Sequence, residues 1–216
     1  MKKVGISKEL ETISEKIRLS LSEKDAAREQ CLKNCREIIR LSSTSIRAIH
    51  RREKDQAAQL INAAATLVSK TQRNLIKKHP DLMNANYVHD SFKEYAEASI
   101  TFAIIFDRSV PDPDKLNIAY PAYLNGLAES VGEMRRYVLD SLRSNEFSLA
   151  EELLAIMDHI YTILVTMDFP DAVTYGLRRN TDNVRGIIEK TRGDLTLLIH
   201  NNLLQKKISL LERKIR

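Results

Sequence analysis

Four glutamates carry the chemistry this chain has to offer. Glu94 and Glu97 lie three residues apart at the start of the segment Lys93 to Phe106, and Glu129 and Glu133 lie four apart further on. On a helix turning about 100° per residue, either spacing sets two carboxylates on one face, about 5–6 Å apart. Two such helices side by side offer four hard oxygen donors, the ligand type that Mg²⁺ or Mn²⁺ selects, with positions left for water and phosphate. The matching chemistry is metal-assisted phosphodiester hydrolysis. The same spacing also describes a solvated helix face, and a basic partner or plain exposure at a helix start accounts equally for the first pair. What sets Glu94 and Glu97 apart is their helix. Phe92, Tyr95, Ala96, Ser99, Phe102, Ala103 and Phe106 form an apolar stripe, and the opposite face also turns apolar beyond Glu97, through Thr101 into Ile104 and Ile105. The acidic pair borders buried surface.

Basic pairs supply the second set of candidates. Arg51-Arg52 and Arg135-Arg136 are the expected nucleic-acid-binding residues, and Lys77-Lys78 and Arg178-Arg179 repeat the pattern. Each pair is also at home on a solvated surface, and phosphate contact is the reading that the net charge of +5 permits. Arg136 follows Glu133 by three residues, so it can hold a scissile phosphate or simply pair with the glutamate. A di-iron bundle needs Glu-x-x-His motifs, and none of His50, His79, His89, His159 or His200 has a Glu three residues before it. P-loop, dinucleotide-binding and zinc-type patterns are missing as well. Cys31 and Cys35, four apart on one helix, are read as two small buried side chains rather than a disulfide.

The elements that must position these residues are helices. The composition is 43% hydrophobic and 29% charged, with 6 Gly and 5 Pro, and the chain from Gly5 to Pro80 contains neither residue in between. That excludes the turn-rich pattern of an all-β domain and predicts an all-α fold, a single-domain bundle of about seven long helices over 1–216. The first helix carries Leu10, Ile13, Ile17 and Leu21; a second opens near Ser22, or the two form one rod. A third spans about 54–78 and ends at Lys77-Lys78-His79-Pro80. The acidic helix runs from about Tyr87 to Asp107, and Pro111 to Asp114 make a loop. A fifth starts at Pro121 and bears Glu129 and Glu133. A sixth covers about 148–167, and a seventh runs from Pro170 towards Leu198, thinned by Gly176, Gly186 and Gly193. Residues 200–216 are expected as a C-terminal helical extension. No run approaches the ~18 apolar residues of a membrane span, and the first residues lack a signal-peptide core, so a cytoplasmic protein with no membrane contact is expected.

Four stretches carry a resemblance: Ser22-Glu-Lys-Asp-Ala-Ala-Arg-Glu with Cys35-Arg-Glu-Ile-Ile-Arg-Leu; Lys93-Glu-Tyr-Ala-Glu-Ala; Tyr123-Leu-Asn-Gly-Leu-Ala-Glu-Ser-Val-Gly-Glu-Met-Arg-Arg; and Gly176-Leu-Arg-Arg. They resemble the translin family and, within it, its TRAX (translin-associated factor X) branch, a resemblance that covers roughly Ile6 to Ile199. The resemblance implies subunits of seven helices that assemble into hollow, octamer-like homo-oligomers and take single-stranded RNA, or single-stranded DNA, inside. It also implies a Mg²⁺-dependent endoribonuclease whose catalytic and metal-holding residues fall on Glu94, Glu97, Glu129 and Glu133. Glu129 departs from the family's usual Asp, keeping the charge with one more methylene. The compact chain resembles microbial, archaeal-type members. A non-catalytic translin-like protein that binds single-stranded RNA or DNA is the alternative within the same family.

Overall fold

The computed structural model describes the backbone of residues 2–215 and the side chains of residues 6–75 and 78–213. Six long helices build it: α1 (Lys2–His50), α2 (Lys54–Lys78), α3 (Asn86–Phe102), α5 (Tyr120–Arg143), α6 (Phe147–Val165) and α8 (Leu177–Ile215), with single-turn helices α4 (Pro113–Leu116) and α7 (Asp171–Thr174) in the connections. Among the described residues there is no strand. The expected break near Ser22 is not present: α1 is one rod of 49 residues. At about 1.5 Å per residue it is over 70 Å long, because nothing in its sequence interrupts the backbone hydrogen-bond ladder. The extension beyond 200 is helical to Ile215, Arg216 and Met1 lying outside the described residues. The side chain of Lys77, half of one expected basic pair, is likewise outside them.

Hydrogen bonds between helices fix their directions. Asn34 donates to Thr71 Oγ1 and Ser45 to the Ala57 carbonyl, so numbers rise on α1 as they fall on α2, an antiparallel pair. Asn125 meets Asn180, and Arg135 meets Thr191 and Asp194, a nearly constant offset that makes α5 and α8 parallel. The main core joins α1, α2, α3, α5, α6 and α8 through residues such as Ile38, Val68, Phe92, Ile100, Val131, Met134, Leu153 and Ile188. A smaller cluster at the far end of α1 packs Ala48, Ile49 and Ala57 against Phe102 and Phe106.

Two local features explain where the acidic helix and the seventh helix depart from expectation. The last turn of the acidic helix, Ala103–Asp107, is π-helical. This wider turn shifts the register of the side chains it carries, and Arg108 in the left-handed conformation (φ 51°) ends the helix. The expected seventh helix is interrupted at Tyr175 (φ 53°) and Gly176 (φ 79°), so α8 starts afresh at Leu177. Glycine at 176 accommodates a turn that other residues adopt with strain.

Both overhanging helix ends remain uncovered. Ile6, Leu10, Ile13, Ile17 and Leu21 on α1, and Leu203, Leu204, Ile208 and Leu211 on α8, are all exposed. Their spacing of three and four makes each an apolar stripe with no partner among the described residues.

Candidate metal centre

The site forms where α5 packs directly on the backbone of α3. A Cβ placed on Gly126 would lie 2.6 Å from Ala96 Cβ, 2.7 Å from the Lys93 carbonyl and 2.9 Å from the Glu97 amide nitrogen. No other residue permits this approach, which brings Glu129, three residues on, beside Glu94 and Glu97. One carboxylate oxygen from each of Glu94, Glu97 and Glu129 lies within 4.8 Å of the others. That is the separation at which three oxygens can share one ion.

Burial and charge act together on this trio. Glu97 is only 8% exposed, and burial and neighbouring charges, with no hydrogen bond among the described residues, set the state of its carboxylate. Burial first, then the charges of Glu94, Glu129 and Glu133, push its pKa up to about 8. Glu94 is also raised, chiefly by burial, with Lys93 opposing. Lys93 is the one cation in direct contact with the trio among the described residues: its Nζ lies 2.7 Å from Glu129 Oε1 and 3.9 Å from Glu94 Oε1. Burial alone would lower the Lys93 pKa, but its hydrogen bond and ion pair with Glu129 raise it instead.

The fourth glutamate has a partner of its own. Glu133 Oε2 is bound by His50 Nε2 at 2.5 Å, across 83 positions of sequence, and Glu133 stands outside the trio. The His50 side chain is 5% exposed, and its Nδ1 is buried without a partner. His50 is the last residue of α1.

The wall facing the carboxylates comes from α8. A cleft of about 390 Å³ is lined by Glu94, Glu97, Ala128, Glu129, Asn180, Asn183, Val184 and Ile187. The sequence pointed to the glutamates but not to Asn180, Asn183, His50 or the role of Gly126. Only the Asn125-Gly126 step inside the Tyr123 motif, and Lys93 next to Glu94, carried any signal for them.

The expected nucleic-acid-binding arginines split by surroundings. Arg51 pairs with Glu53, and Arg52 forms a two-pronged pair with Glu146 while stacking over Tyr137. Arg135 is turned inward to Thr191 and Asp194 and ties α5 to α8. Arg136 is exposed and makes no ion pair among the described residues. Cys31 and Cys35 are buried free thiols with their sulfurs 3.9 Å apart.

No protein-family model matches the chain. An uncharacterised protein of Methanocaldococcus jannaschii is 33% identical over 190 residues, 87% of this chain and 83% of its own length. The crystal structure of AfC3PO superposes with a TM-score of 0.80 at 33% identity, covering 88% of this chain and 98% of that one. The structure of an AfC3PO–duplex RNA complex gives 0.78 at 33% over 88% and 97%. Apo-NeC3PO, 18% identical over 85% of this chain and 96% of its own, shares the fold with a TM-score of 0.78. C3PO assemblies are of translin type. Identity of one third, sustained over almost the whole chain in sequence and in superposed structure, exceeds what a shared helical architecture requires, and the chain belongs to the translin family.

Proposed function

We propose that this chain is a TRAX-like, Mg²⁺- or Mn²⁺-dependent endoribonuclease that hydrolyses single-stranded RNA within an oligomeric shell. The observation that carries the reading is Glu97, a carboxylate 8% exposed and without a hydrogen bond, packed against two further carboxylates. Such a group is stabilised by protonation, by pairing or by a bound cation. Oxygen donors alone, opening onto a cleft, suit Mg²⁺ or Mn²⁺ and not the nitrogen and sulfur preferences of zinc.

Glu94, Glu97 and Glu129 are the residues that hold the ion. When bound, it supplies Lewis-acid charge at the phosphate and at the attacking water. Glu133 has a different task. Clamped by His50 beside the trio, it is placed to receive the water's proton as the water oxygen bonds to phosphorus and the ester P–O bond to the departing ribose breaks. Arg136, exposed three residues from Glu133, is the free cation for the phosphate. RNA as the ligand class is supported by AfC3PO, whose structure with duplex RNA is known. Assembly is supported by the two uncovered apolar stripes, which a monomer leaves in water.

One observation favours a second reading. Lys93 already bridges Glu129 and Glu94, so the trio is partly neutralised without a metal ion, as a non-catalytic translin-like RNA- or DNA-binding subunit would require. The test is cleavage of end-labelled RNA with Mg²⁺. Wild-type protein is expected to cut single strands, while Glu94→Ala and Glu129→Ala abolish cutting and retain RNA binding. Unchanged cleavage in both variants sinks the site, and wild-type binding without cleavage favours the second reading.

A further inference from the structure

The wall of the cleft facing the glutamates holds a neutral amide whose orientation is dictated by a chain of hydrogen bonds. Asn125 is 1% exposed, and its Nδ2 donates to the carbonyls of Pro121 (2.9 Å) and Thr174 (2.8 Å). Carbonyl oxygens only accept, so the amide end of Asn125 is fixed on them and its Oδ1 must point the other way. That oxygen receives Asn180 Nδ2 at 2.8 Å. The same logic then fixes Asn180: its NH₂ is committed to Asn125, and the end left over is Oδ1, an acceptor without a protein partner among the described residues. Asn180 lines the cleft together with Glu94, Glu97 and Glu129.

We propose that Asn180 is a fourth oxygen donor to the cation held by Glu94, Glu97 and Glu129, with Asn125 as the positioning residue that keeps Oδ1 turned into the cleft. This rests on the reading of the trio as a metal centre. The chemistry favours it: a hard divalent ion accepts amide oxygens alongside carboxylates, and a neutral donor adds a ligand to an already crowded negative cluster without adding charge. The device also spans the fold. Pro121 and Asn125 belong to α5, Thr174 to α7 and Asn180 to α8, so the donor is set by the same contacts that seat α7 and α8 on α5.

The experiment is titration of the full chain with Mn²⁺, followed by the electron paramagnetic resonance signal of free Mn²⁺. Asn180→Ala is expected to weaken Mn²⁺ binding about tenfold or more. Asn180→Asp keeps an oxygen in the cleft but adds charge and sets an acceptor against Asn125 Oδ1, so it is expected to bind Mn²⁺ more tightly than Asn180→Ala while melting below wild type. Thr196→Ala, further along α8 and outside the cleft lining, is expected to bind as wild type does. Wild-type Mn²⁺ affinity in Asn180→Ala overturns the proposal. Failure of the wild-type chain itself to bind Mn²⁺ overturns the metal-centre reading and this proposal with it. The melting temperature of each variant separates lost ligation from lost folding.

Discussion

Gly126 of α5 sits against Ala96 of α3 so closely that a methyl group at Gly126 would lie 2.6 Å from the Ala96 Cβ. The helices must part to admit it, because the other atoms in its way, the Lys93 carbonyl and the Glu97 nitrogen, belong to rigid backbone. Gly126→Ala is therefore expected to lower stability by about 1–3 kcal/mol despite the better helix propensity of alanine. It should also weaken Mn²⁺ binding by separating Glu129 from Glu94 and Glu97. Urea unfolding and Mn²⁺ titration of the same variant check both, and a stabilised protein would show that the approach is not tight.

Stability without metal should fall as the solution becomes more basic. Glu97 has its pKa pushed from 4.5 up to about 8, first by burial and then by its acidic neighbours. The folded chain thus keeps a proton that the unfolded chain has released, and the resulting stability is fully present below about 4.5 and lost as pH rises towards 8. Each unit of displacement is worth about 1.4 kcal/mol, and a loss of that size lowers the melting temperature by about 3–6 °C in a chain of this length. With chelator present, the melting temperature is expected to decline between about pH 5.5 and 8.5. Glu97→Gln should flatten the decline, and Mn²⁺ should reverse it. A wild-type melting temperature that rises over this range contradicts the charge cluster.

His50 separates binding from chemistry. It clamps Glu133 and touches none of the three clustered carboxylates through a hydrogen bond among the described residues. His50→Ala is expected to reduce the cleavage rate about 10–100-fold while leaving Mn²⁺ affinity near that of wild type. His50→Gln, which keeps a donor on the side chain, should recover part of the rate. Equal loss of metal affinity and rate would instead make Glu133 a ligand.

The adjacent arginines of α5 should behave differently although they are neighbours in sequence. Arg136→Ala is expected to weaken RNA binding across sequences and reduce the salt dependence by about one phosphate contact. Arg135→Ala removes the link to Thr191 and Asp194 and is expected to loosen α8, seen as faster amide exchange along α8, with little change in the salt slope. Filter binding at several salt concentrations distinguishes them.

Legibility in the sequence varies by residue. Periodicity and the scarcity of Gly and Pro determined the helices, because helix formation is local: each turn is closed by residues four apart. The same local rule placed Glu94 with Glu97 and Glu129 with Glu133 on their faces, and the family resemblance tied the two pairs together. Of the two readings of the first fifty residues, the single rod is the one found, since a cap-like serine does not end a helix whose ladder continues through it. The interruption at Tyr175 and Gly176 went unread because it depends on two left-handed residues between α7 and α8.

What only the tertiary structure decided is which glutamates meet. Three converge because Gly126 lets two helices approach, and the fourth is paired with a histidine 83 positions away. No spacing rule reaches across that distance; the contact depends on the relative height of α1, α3 and α5 in the bundle, which the packing of side chains such as Ile49, Phe102 and Met134 sets. The sequence by itself determined the carboxylates and the helices that bear them. Packing decided that one of them, Glu97, is buried, and burial is what turns an acidic helix face into a candidate metal centre.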